Sequence, residues 1–264
     1  SRGLGDVYKR QPLHLCIAMG LNKLAVRMIE AGAPVNAQTV FLHDGIKDPG
    51  DTPLIWACSA GIYQDSAAAD RLPVVQALLS HGADPDLPGT GGITPFMWAA
   101  VLNNSDPEQE KIALALLDAG NPDLKRRLNA HARGTGFSSL STAILKRLIE
   151  AGCDVNERFF VSKQSPLHLL CTREEPPERV IPLIELLIKA GADPNQLDVD
   201  GLTPLMACNS PEIALCLMNN GANPSLRNED GQTAYDFHMK NGYREIAEAI
   251  KKWQSAQKKT ARDQ

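Results

Sequence analysis

Gly191-Ala192-Asp193-Pro194-Asn195, followed by Asp200-Gly201-Leu202-Thr203-Pro204-Leu205-Met206-Ala207, carries a stop, a turn and a start in close succession. Gly191 closes an amphipathic run, because glycine takes the left-handed backbone that satisfies a helix's last carbonyls. Asp-Pro-Asn and Asp-Gly favour tight turns. Thr203 before Pro204 then opens a helix: the hydroxyl caps free N–H groups, and proline at the first helical position has no hydrogen bond to lose. The order is therefore helix, stop, turn, helix.

The same punctuation recurs along the chain. Helix starts stand at Pro12-Leu13-His14, Thr52-Pro53-Leu54, Thr94-Pro95-Phe96 and Ser165-Pro166-Leu167-His168. Amphipathic runs close at Gly32, Gly82, Gly120, Gly152, Gly191 and Gly221. The gaps between these glycines, 50, 38, 32, 39 and 30 residues, scatter about the ~33-residue period of a helix-pair repeat. Small residues (Ala57, Ala99, Ala100, Ala207, and cysteine at 58, 171 and 208) let neighbouring first helices approach closely. The Leu-rich second helices, such as 75–79 and 184–188, build a wider outer layer. Unequal layers predict a curved stack with a concave face.

These residues resemble the ankyrin family, whose repeat reads roughly D-G-x-T-P-L-H-x-A-A, a second helix, then G-A-D-x-N. The resemblance covers residues 12–254 and implies an all-α solenoid of about six to seven helix-turn-helix units joined by short β-hairpin loops. Unit boundaries fall near 12–50, 51–91, 92–130, 131–162, 163–200, 201–230 and 231–254. Unit four is irregular, with His131-Ala132-Arg133-Gly134-Thr135-Gly136-Phe137-Ser138-Ser139 in place of a first helix. The last unit resembles a C-terminal cap, its outer positions polar at Arg244, Glu245, Glu248, Lys251 and Lys252. Residues 255–264 are expected to form a disordered tail. Insertions fall at 38–50, where Asp44-Gly45 is the expected turn, and at 61–71, 103–108 and 172–179. Residues 1–11, Ser1-Arg2-Gly3-Leu4-Gly5-Asp6-Val7-Tyr8-Lys9-Arg10-Gln11, resemble a translated sequencing adapter, which implies an artefact separate from the fold and a natural chain that continues upstream.

Composition narrows function. Lys and Arg number 27 against 31 Asp and Glu, a net charge of −4, so no electrostatic reason favours nucleic acid or an anionic membrane. No apolar stretch approaches the ~20 residues needed to cross a bilayer. Six cysteines with no Cys-x-x-Cys pair suit buried thiols in a reducing compartment, which points to the cytoplasm. His168 stands three residues before Cys171, but no four-ligand spacing accompanies it or His14. Both histidines read as structural residues bonding neighbouring backbone, and no metal or cofactor is expected. Trp56 and Trp98 read as packed first-helix residues. Arg133-Gly134-Thr135-Gly136 lacks the flanking strand and the Gly-Lys-Ser/Thr ending of a phosphate loop. No nucleophile elbow or zinc-protease motif is present.

The resemblance therefore implies a non-catalytic, monomeric scaffold that binds a partner protein through hairpin tips and the concave helical face. Position-matching to the family places the partner-binding residues at Phe41, Leu42, His43, Thr90, Ile93, Phe160, Val161, Lys163, Val199, Asp200 and Leu202, all expected to be exposed. The alternative is the regulatory or targeting region of a larger enzyme whose catalytic domain lies upstream.

Overall fold

The computed structural model describes residues 12–43, 46–59, 70–101, 107–119, 141–158 and 162–260, with backbone alone at 40–43, 46–49 and 101. The adapter-like segment, most of the 61–71 insertion, Asn103 to Asp106 and the irregular start of unit four, with its Arg133-Gly134-Thr135-Gly136, lie outside the described residues. The chain divides into two compact units, one of residues 1–131 with 139–148 and one of residues 132–138 with 149–264.

The first unit contains α1 (Pro12–Ala18), α2 (Asn22–Glu30), β1 (Val40–His43), β2 (Ile46–Pro49), α3 (Pro53–Cys58), α4 (Leu72–Ser80), α5 (Pro95–Val101) and α6 (Pro107–Ala119), and takes in most of α7 (Thr142–Glu150). Its helices form two layers, α1 against α3 against α5 and α2 against α4 against α6. Leu54, Ile55, Ala57, Cys58, Phe96, Ala99 and Ala100 are fully buried between them. The second unit contains α8 (Pro166–Cys171), α9 (Pro177–Lys189), α10 (Pro204–Ala207), α11 (Pro211–Asn219), α12 (Ala234–Lys240) and α13 (Arg244–Thr260). It repeats the layering, α8 against α10 against α12 and α9 against α11 against α13.

The local chemistry works as the residue types require. Thr52, Thr94 and Thr203 each accept the N–H three residues on, from Ile55 (3.2 Å), Met97 (3.3 Å) and Met206 (3.3 Å). Gly32, Gly82, Gly152, Gly191 and Gly221 all stand at φ between 84° and 99°, where a side chain would be strained.

Two features depart from the sequence reading or extend it. The first insertion is a β-hairpin with Val40 opposite Pro49 and His43 opposite Ile46; the expected Asp44-Gly45 turn lies outside the described residues. The hairpin's neck is closed by Thr39 N–H donating to the Asp51 carbonyl at 3.1 Å. The disordered tail expected from Ser255 is helical through Thr260. Trp253 Nε1 donates to Asn219 Oδ1 at 2.8 Å, which anchors the helix there, and the run of Gln, Ala and Lys that follows has high helix propensity.

Candidate interaction surface

The loops between helix pairs are built from one repeated device. Asn36 donates from Nδ2 to the Gly82 carbonyl (2.9 Å) and accepts the Asp84 N–H at Oδ1 (2.8 Å). Asn156 does the same with Gly191 (2.8 Å) and Asp193 (2.7 Å), and Asn195 with Gly221 (3.0 Å) and Asn223 (2.7 Å). Each asparagine thus clamps its own hairpin to the next one. Within each turn the carboxylate or amide of Asp84, Asp154, Asp193 or Asn223 accepts the N–H two residues on.

The hairpin tips are equally fixed. In the second unit Asp198 Oδ1 accepts the N–H groups of Asp200 (3.0 Å) and Leu202 (2.8 Å), while Asp198 N–H donates to the Leu202 carbonyl at 2.9 Å. Val199 N–H reaches back to the Ser162 carbonyl at 2.9 Å. In the first unit glycine occupies the corresponding position, Gly89, and Asp51 supplies the missing carboxylate, its Oδ1 accepting the Thr90 N–H at 3.0 Å.

Buried histidines tie these loops to the inner helices. His14 Nε2 bonds the Asp51 carbonyl at 3.1 Å and His168 Nε2 the Leu202 carbonyl at 2.9 Å. Each carbonyl belongs to the residue just before the next Thr-Pro. His168 Nδ1 accepts the Ser165 N–H at 3.1 Å, so the proton sits on Nε2, which donates to Leu202. His238 in the last unit bonds the Leu205 carbonyl at 2.9 Å. Burial pushes the pKa of all three rings down. Trp56 is buried edge-on to His14 with ring centroids 5.5 Å apart, whereas Trp98 is half-buried.

The anticipated partner-binding residues divide accordingly. Val199 is 47% exposed, and Thr90, Lys163 and Asp200 are also exposed. Ile93 and Leu202 are half-buried rather than exposed, because each lends its carbonyl inward, Ile93 to Gly89 N–H and Leu202 to His168. Phe41, Leu42 and His43 lie in β1, where the backbone alone is described. Phe160 and Val161 lie outside the described residues. Sequence reading missed Leu197, 41% exposed beside the Val199 tip. The signal was available, since Leu197 stands one residue before the capping Asp198.

Among the described residues no group of three His, Cys, Asp or Glu side chains is placed to hold a metal, and no helix is long and apolar enough to cross a membrane. All six cysteines are free thiols. Burial pushes the thiol of Cys208 up to about 12 and that of Cys216 up to about 11, and raises those of Cys58 and Cys171 as well. These thiols are poor nucleophiles.

Comparison with known proteins agrees with this architecture. Residues 177–263 match a model of three ankyrin repeats and residues 49–90 a single ankyrin repeat model. The human ankyrin repeat and SOCS box protein 6 is 30% identical over 154 residues, 48% of this chain and 35% of its own length. Human protein phosphatase 1 regulatory subunit 27 is 39% identical over 71 residues, 26% of this chain and 46% of its own. Human ankyrin repeat domain-containing protein 37 is 34% identical over 109 residues, 40% of this chain and 66% of its own. The chain therefore spans less than two thirds of these relatives. Crystal structures of the ankyrin repeat domains of human ASB11 and of Bcl-3 share the fold, each with a TM-score of 0.61 at 20% identity, covering 91% and 92% of this chain and 96% and 99% of theirs. Repeated helix pairs, glycine-closed second helices, histidine and asparagine ties and both family models converge on one conclusion: the chain belongs to the ankyrin repeat family.

Proposed function

We propose that this chain is a non-catalytic scaffold that binds a partner protein through its hairpin tips and inner helical faces. The observation that carries the reading is the tip around Leu197 and Val199, where two exposed apolar side chains stand on a loop tied at Asp198, Asn156 and Ser162. Exposed apolar groups on a preordered loop suit a binding hot spot. Ankyrin repeats generally serve as protein-binding modules, and one relative is by name a regulatory subunit of protein phosphatase 1. The reading extends to a monomer that binds neither nucleic acid nor membrane and works in the cytoplasm, where six free thiols stay reduced.

A photo-crosslinking residue at position 199 tests it, with position 185 on the outer helix α9 as the control. The expected result is a discrete protein adduct from 199 and none from 185. Equal labelling from both positions, or none from 199, would overturn the assignment.

A further inference from the structure

The last helix is built differently from the other second helices. It runs 17 residues, against nine in α2, α4, α7 and α11 and 13 in α6 and α9. Between it and α12 lies an open groove of about 610 Å³ lined by Tyr235, Met239, Arg244, Glu248, Lys251, Lys252 and Ser255. Positions 244, 248, 251, 252 and 255 follow helical spacing, so α13 presents them along one face.

The groove combines charge and apolar surface in a chain that is otherwise acidic. Three cations, Arg244, Lys251 and Lys252, outnumber the single carboxylate of Glu248, although the whole chain carries −4. Met239 on the opposite wall is 39% exposed. Lys258 and Lys259 stand in the last turn, where cations complement the helix dipole. Lys251 and Lys252 sit well before that turn. A polyanion such as RNA would meet Glu248 within the groove. A peptide with spaced carboxylates and apolar side chains would match the cations and Met239 together.

We infer that this groove docks an acidic, partly apolar segment of a partner protein. The inference rests on the protein-binding reading above but concerns a second surface, separate from the Val199 tip. The test uses the full chain and a fluorescently labelled peptide of alternating Glu and Leu, followed by anisotropy at low and at physiological ionic strength. The peptide is expected to bind, more weakly as salt rises, and a Gln and Leu counterpart is expected not to. Reversing the charges in a Lys251→Glu, Lys252→Glu variant should weaken binding about ten-fold, and Met239→Ala about three-fold. Val199→Asp should leave peptide binding unchanged, which separates failure of this groove from failure of the hairpin-tip reading. If charge reversal disturbs folding by circular dichroism, Lys251→Gln, Lys252→Gln carries the test, with about a three-fold loss expected. No binding, equal binding of the Gln peptide, or undiminished affinity in the charge variants would overturn the inference. So would tighter binding of phosphatidylserine vesicles or single-stranded RNA in the same assay.

Discussion

Replacing His168 with alanine should destabilise the protein by about 3–5 kcal/mol. The side chain is fully buried and makes three interactions, to the Leu202 carbonyl at 2.9 Å, the Ser165 N–H at 3.1 Å and the Ser165 hydroxyl at 2.8 Å. Truncation leaves the Ser165 N–H without its acceptor, at ~1–3 kcal/mol for a buried polar group, while the Leu202 carbonyl keeps the Asp198 N–H. Removing the ring from a packed site adds a cavity cost, ~2–5 kcal/mol for large side chains cut to alanine. The two overlap, so the sum stays near the upper part of either range. His168→Gln should lose about half as much, since its amide can still donate to Leu202. Urea denaturation by circular dichroism measures both, and hydrogen exchange should rise at the Ser165 amide, whose acceptor is lost. A loss below about 1 kcal/mol in His168→Ala would refute the structural role. So would zinc-dependent stabilisation of the parent that the variant lacks, because that would make His168 a ligand after all.

Stability should also depend on pH through His14, His168 and His238, whose folded pKa values are all lowered by burial. Between the folded and unfolded pKa values the unfolded chain binds more protons, so stability falls as pH drops below the ordinary histidine value of about 6.5 and is fully present above it. Denaturation midpoints that stay flat from pH 7.5 down to about 5 would contradict this. Gly89→Ala should cost about 1–3 kcal/mol, because its Cβ would lie 2.3 Å from Asp51 Oδ1 and 2.6 Å from Ile55 Cδ1. An unchanged melting temperature would show that Asp51 can leave its bond to Thr90 freely.

Much of the fold was legible because its signals are local. Thr-Pro starts, glycine stops and turn residues act within a few positions of themselves, so helix pairs and their order could be read directly. The length of α13 was not, since its extension depends on Trp253 finding Asn219, a residue 34 positions away. Exposure at the hairpins was harder still. Ile93 and Val199 are both branched apolar residues, yet the first is half-buried and the second is exposed: Ile93 stands just before Thr94-Pro95 with its carbonyl turned back to Gly89, whereas Val199 sits at the tip. The Asn36, Asn156 and Asn195 clamps reach 26 to 48 residues along the chain. A single repeat names the asparagine but not its distant partner.

That clamp explains why so much hydrogen bonding sits where it adds little to stability. The Asn156 bonds to Gly191 and Asp193 are exposed, so water replaces them at modest cost and Asn156→Ala should destabilise by only about 1 kcal/mol. Their effect on binding is larger. The Asn156 side chain accepts the Asp193 N–H at 2.7 Å, so it holds the start of the loop that leads to Leu197 and Val199. Ordering a free loop on binding costs ~1–2 kcal/mol per residue of backbone, and a loop already ordered does not incur it. Freeing even one or two residues of this loop should therefore weaken partner binding about ten-fold. Asn156→Ala should show faster exchange over residues 193–202 and a lower crosslinking yield from position 199, with melting nearly unchanged. Unchanged exchange and yield would mean that the loop is held by packing alone and that the asparagine ladder contributes nothing to recognition.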